Sequence, residues 1–69
     1  MSTHRFAVER LCGGRWLREG TAATLERART LPANTHAQYR VRDLERGLAR
    51  LLDVTKRGAS WAEQRWGPT

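Results

Sequence analysis

Apolar and polar side chains alternate over residues 5–11, where Phe6 and Val8 fall on one side of a period-2 pattern and both are good strand formers. Gly13 and Gly14 follow. A Gly-Gly pair between two strand-like runs signals a hairpin, because the favoured tight turns need the positive φ that glycine adopts at little steric cost. The returning strand is residues 15–19, with Trp16 and Leu17 as its apolar members and Gly20 as its end. A loop of two or four residues sets Leu11 opposite Trp16, Arg10 opposite Leu17, Glu9 opposite Arg18 and Val8 opposite Glu19. Phe6, Val8 and Leu17 then share one face, while Leu11, Trp16 and a Glu9–Arg18 ion pair share the other. A three-residue loop would shift this register and flip one strand.

After Gly20 the period changes. Thr24 is the best N-cap, because it places Glu26 in the first turn, where the helix dipole favours negative charge, and Leu25, Ala28 and Leu31 follow at helical spacing. Pro32 limits this helix, and residues 32–37 read as a loop. Residues 38–43 alternate again, with Tyr39 and Val41 against Arg40 and Arg42, and form a third strand. Residues 43–57 satisfy two templates. As a helix, Asp43 caps it, Leu44, Leu48, Leu51 and Leu52 form a stripe, and Lys56 and Arg57 sit at its C-terminus before Gly58. As a hairpin, Glu45 to Gly47 make the turn and Leu48, Leu52 and Val54 alternate along a fourth strand. The leucine stripe alone leans to the helix. Ser60 and Glu63 form a capping box for one further helical turn through Trp66, stopped by Gly67 and Pro68.

The expected fold is therefore α+β: a small antiparallel sheet of three to four strands (hairpin, helix, strand, then strand or second helix) with one helix packed on one face. Residues 1–69 form a single domain, with residues 1–4 and 67–69 as loose ends. At 69 residues the core is small, since a chain of this size buries only about 60% of the surface its unfolded form exposes. Cys12 is the only cysteine, which rules out an intramolecular disulfide, and with His4 and His36 it falls short of the four ligands of a structural zinc site. Residues 1–11 carry Arg5, Glu9 and Arg10 where a secretory signal needs an apolar run, and no stretch is long and apolar enough to span a membrane. The expectation is a soluble protein of the cytoplasm.

Charge adds the main functional clue. Thirteen basic side chains stand against seven acidic ones, for a net +6, and all the basic residues but Lys56 are arginine. A GC-rich genome favours arginine over lysine whatever the protein does, but codon bias does not set the net charge. A surplus of this size attracts nucleic acid, a nucleoprotein or an acidic protein face.

The order of motifs carries a resemblance: Phe6-Ala-Val-Glu, Gly13-Gly-Arg-Trp16, Glu19-Gly-Thr21 leading to Thr24-Leu-Glu-Arg-Ala28, then Tyr39-Arg-Val-Arg-Asp43 and Glu45-Arg-Gly47. Over residues 5–54 it resembles short uncharacterised proteins of bacteriophages and prophages from GC-rich bacteria. That resemblance implies a hairpin, a crossover helix and further strands, and it pushes residues 43–54 toward a fourth strand. It also implies a class, the small accessory proteins of mobile elements that act by binding host or phage components, and it assigns no catalytic residue.

Two groups of residues are candidates for such binding. If the helix covers Phe6, Val8, Leu17, Tyr39 and Val41, then Trp16, Arg18, Arg40 and Arg42 emerge together on the opposite face, where an indole stacks on bases and guanidiniums meet phosphates. The competing reading is a solvated face with Trp16 under the C-terminal segment. The second group is Trp61, Arg65 and Trp66, residue types enriched at binding hot spots, which a small core could equally use to close itself. Enzyme chemistry finds no support: Cys12 has no marked base, the carboxylates show no working pair, and Gly13-Gly14 lacks the rest of a phosphate loop. No cofactor or metal is expected. The expected partner is nucleic acid or a nucleoprotein. The alternative is a host protein complex, such as a defence nuclease or polymerase, that the chain inhibits by protein contact. Self-association through Trp61 and Trp66 is a further variant.

Overall fold

In a computed structural model, which describes residues 4–62 and 65–68, Gly13 and Gly14 adopt φ of 58° and 80° and join β1 (Phe6–Cys12) to β2 (Arg15–Ala22). Positive φ at both central residues is the turn geometry whose twist matches that of the flanking strands. The two-residue loop sets Leu11 opposite Trp16, Arg10 opposite Leu17 and Glu9 opposite Arg18, the register the alternation predicts. Beyond Glu9 the register shifts, so Val8 pairs with Gly20 rather than Glu19. Glu19 is the extra residue of this bulge, and its carboxylate takes the Arg10 guanidinium at 2.6 Å. Gly20 does not end the strand. It lies beneath Leu31, whose Cδ1 would stand only 3.3 Å from a Cβ at this position, and β2 runs on to Ala22.

The helix shrinks to one turn, α1 (Leu25–Ala28), capped by the Thr24 hydroxyl, which accepts from the Arg27 N–H at 3.2 Å. So short a helix cannot stand on propensity. Its cap and the fully buried Ala28 hold it in place.

The remaining strands are β3 (Tyr39–Asp43), β4 (Leu48–Thr55), β5 (Gly58–Trp61) and β6 (Gly67–Pro68). All pairings are antiparallel in the order β2-β1-β3-β4-β5, and β6 pairs with Leu48 and Ala49 at the other end of β4 from β5. The fold is thus essentially all-β, which corrects the α+β expectation. The correction centres on residues 43–57. Asp43 does act as a cap, but of a turn: its Oδ1 accepts from the N–H groups of Glu45 (3.0 Å) and Arg46 (3.2 Å), and Gly47, at φ 69°, donates back to the Asp43 carbonyl at 2.8 Å. An Asx-type turn and a helix N-cap use the same side-chain chemistry. The stripe then divides. Leu48, Leu52 and Val54 take the core side of β4, whereas Leu44 and Leu51 remain exposed. Near the C-terminus, Ser60 belongs to β5 and Gly67–Pro68 is paired, so no helical turn starts at Ser60; Glu63 lies outside the described residues.

Ala7 and Glu9 are buried on one face of the sheet, and the main core cluster occupies the other. Phe6, Val8, Ala22, Ala28, Tyr39, Val41 and Leu52 form this cluster, with Val8 directly opposite Val41 and both fully buried. Leu17, expected beneath the helix, is 45% exposed and lies outside the core cluster. Trp61 and Trp66 pack against the core, their ring centroids 5.7 Å apart and Trp66 6.4 Å from Phe6. At the sheet's end, buried Asp43 takes Arg5 through both oxygens, at 3.3 and 3.1 Å. Burial pushes its pKa up. The Arg5 guanidinium and the backbone N–H groups of Arg46 and Glu45 outweigh that and hold it below the ordinary 3.8. Among the described residues no helix is long and apolar enough to cross a membrane.

Candidate functional site

Strand register builds the face opposite the core in rows. Arg18, Glu9, Arg40 and Leu51 lie side by side across β2, β1, β3 and β4, and Ala7, Arg42 and Ala49 make the neighbouring row. Trp16 stands opposite Leu11, two residues along from Arg18. Trp16, Arg18, Arg40 and Arg42 therefore share one face, through alternation within each strand and the Glu9–Arg40 register of β1 against β3.

Their contacts differ. The Arg40 Nε donates to Glu9 Oε1 at 2.6 Å, and its guanidinium carbon sits 4.6 Å from the centroid of the Trp16 ring. Both members of the ion pair are withdrawn from solvent, with side chains 17% and 7% exposed. The Glu9–Arg18 pair expected from the hairpin gives way to this one. Glu9 lies between two arginines, and Arg18, beside the bulge of an edge strand, stays exposed and without an acidic partner at ion-pair distance among the described residues. Arg42 lies between the small side chains of Ala7 and Ala49, and its buried Nε has no hydrogen-bond partner among the described residues.

A pocket of about 180 Å³ opens beside this stack, lined by Trp16, Arg40, Ala49, Arg50, Leu51, Gly67 and Pro68. Trp16 on β2 and Pro68 on β6 line the same pocket across the intervening strands, so this face is concave. The Arg50 guanidinium is engaged at the other face, 4.3 Å from the Trp61 centroid. Sequence reasoning missed Glu9 as the anchor of Arg40, 31 residues away, and the wall that β6 contributes. Only the β1–β3 and β4–β6 pairings bring these groups together, and nothing local marks either.

The second candidate group is split. Trp61 and Trp66 are half-buried against the core, with Arg29 also lying over Trp61 at 5.9 Å, while Arg65 is exposed. The nucleophile and ligand types are dispersed: Cys12 is exposed beside the hairpin turn, His4 Nδ1 meets the Thr21 hydroxyl at 2.8 Å, and His36 is exposed in the loop before β3. Among the described residues no group of three or more His, Cys, Asp or Glu side chains could hold a metal ion.

No protein-family model, curated protein or solved structure matches this chain.

Proposed function

We propose that this chain is a small, basic, non-enzymatic binding module that contacts nucleic acid, alone or within a nucleoprotein, through the concave face bearing Trp16, Arg18, Arg40 and Arg42. The distribution of charge carries this reading. Among the described residues four carboxylates, Glu9, Glu19, Asp43 and Glu45, are taken up by three arginines, Arg40, Arg10 and Arg5. The surplus thus rests on arginines outside these pairs, and two of them, Arg18 and Arg42, share one face with an indole. Guanidiniums of this kind neutralise phosphates, and an adjacent aromatic ring gives bases a surface to stack on. The motif order supports a setting in a bacteriophage or other mobile element, acting in the host cytoplasm.

Affinity for a generic oligonucleotide is expected to fall linearly with salt on a log–log plot. Arg18→Ala and Arg42→Ala should each make that slope shallower by about 1, uniformly across sequences. Titration by fluorescence anisotropy reads this, and absence of binding at low ionic strength, or binding without a salt slope, sinks the proposal. A host protein retained from lysate after nuclease treatment would favour an inhibitor of a host complex instead.

A further inference from the structure

The nucleic-acid reading needs only charge, yet the pocket beside Trp16 has a shape that charge does not require. We infer that this pocket takes a single unpaired nucleobase against the Trp16–Arg40 stack, so that the protein selects single-stranded over duplex nucleic acid; the inference rests on the proposed nucleic-acid function.

Arg40 is held in two directions at once. Glu9 fixes its Nε at 2.6 Å, and the Trp16 ring lies 4.6 Å from its guanidinium carbon. A withdrawn ion pair is a weak source of stability, because desolvating both charges offsets most of their attraction. What it provides is orientation: the guanidinium plane is already set before anything binds, so less freedom is lost on binding. No described side chain accepts from the terminal nitrogens of Arg40. A fixed guanidinium offers a planar face for a base and N–H donors for a base edge or phosphate.

The space beside it matches that use. Ala49, Leu51, Gly67 and Pro68 supply apolar surface to a lining that Arg40 and Arg50 make about half polar, and Ala49 and Gly67 face each other across the β4–β6 pairing. A Cβ added at Gly67 would meet nothing within 4 Å, so the space there is open. At about 180 Å³ the pocket is below the roughly 300–1,000 Å³ of sites for drug-sized ligands, and it suits one ring system. A duplex keeps its bases paired and stacked and has no such ring to offer, whereas an unpaired strand does.

Three labelled probes test this at one low salt concentration: a short oligothymidine, the same strand annealed to its complement, and an abasic strand of equal length and charge. The oligothymidine should bind about 10- to 100-fold more tightly than either of the others, the effect of one stacked base. Trp16→Ala, which removes the stack, and Ala49→Leu, which fills the pocket, should each abolish that preference. Trp16→Phe, which keeps a ring, should retain part of it, separating loss of stacking from loss of folding. Equal binding of all three probes by the wild type overturns the inference while leaving the nucleic-acid reading intact. Binding of none overturns both.

Discussion

Phe6→Ala is expected to leave the protein largely unfolded in buffer at room temperature. Phe6 is only 6% exposed, and its ring joins the core formed by Val8, Val41, Tyr39 and Leu52 to Trp66, 6.4 Å away, which in turn meets Trp61. Removing a buried phenyl group costs about 3–5 kcal/mol, part from lost transfer of the ring out of water and part from the cavity left behind. A domain of this length holds roughly 3–10 kcal/mol in total, at about 0.05–0.15 kcal/mol per residue. A small core places the domain toward the lower end of that range, where the loss consumes most or all of it. The sole cysteine, Cys12, is exposed and unbridged, so no disulfide limits the damage. Urea titration followed by far-ultraviolet circular dichroism should show no folded baseline for the variant. Leu17→Ala, at a side chain 45% exposed, should shift stability by no more than about 0.5 kcal/mol. A Phe6→Ala midpoint close to that of the wild type would mean that the tryptophans are not closing this core.

Asp43→Ala should cost about 2 kcal/mol and remove part of the acid sensitivity of the fold. The carboxylate accepts from Glu45 N, Arg46 N and Arg5, and its loss leaves two turn N–H groups without their acceptor at the start of the β3–β4 connection. Arg5 is the weaker part of the arrangement, because its side chain is 37% exposed and the ion pair is screened by solvent and salt. Asp43→Asn is accordingly expected to be milder, since an amide oxygen can still accept both backbone N–H groups. Because the native pKa of Asp43 lies below the ordinary 3.8, its contribution is present above that value and is lost as pH falls through the lower native one. Wild-type stability should thus decline from about pH 4 downward, and the difference between wild type and Asp43→Asn should narrow over the same range. A difference that stays constant with pH would show that the charge of Asp43 contributes nothing.

Local signals were enough for the parts of this fold that local chemistry decides. Gly13-Gly14 specifies a two-residue turn, the turn specifies the β1–β2 register as far as Glu9, and period-2 alternation then puts Trp16 and Arg18 on one face. The same alternation in Tyr39–Asp43 puts Arg40 and Arg42 together, which is why most of the candidate face is legible in the residues alone. Beyond the turn the reading fails where long-range pairing decides. Leucines at 44, 48, 51 and 52 meet the spacing of a helix as well as they meet half of a strand, and Asp43 caps either structure. The choice belongs to β3, whose free edge is satisfied only when Leu48–Thr55 pairs with it. The bulge at Glu19 has the same kind of cause, since a residue that an isolated hairpin would pair is displaced by a register that continues to Ala22. Trp61 and Trp66 look available in a tail. A core this small recruits them.

The Trp16–Arg40 face is best tested by the three indole N–H signals, since the chain has one tryptophan on that face and two against the core. In a proton–nitrogen NMR titration of the labelled protein with a short single-stranded oligonucleotide at low salt, the Trp16 indole and the Arg40 Nε–H should shift progressively. The Trp61 and Trp66 indoles should stay in place. Movement of Trp61 and Trp66 with Trp16 unchanged, or no movement of any of the three, would contradict this assignment.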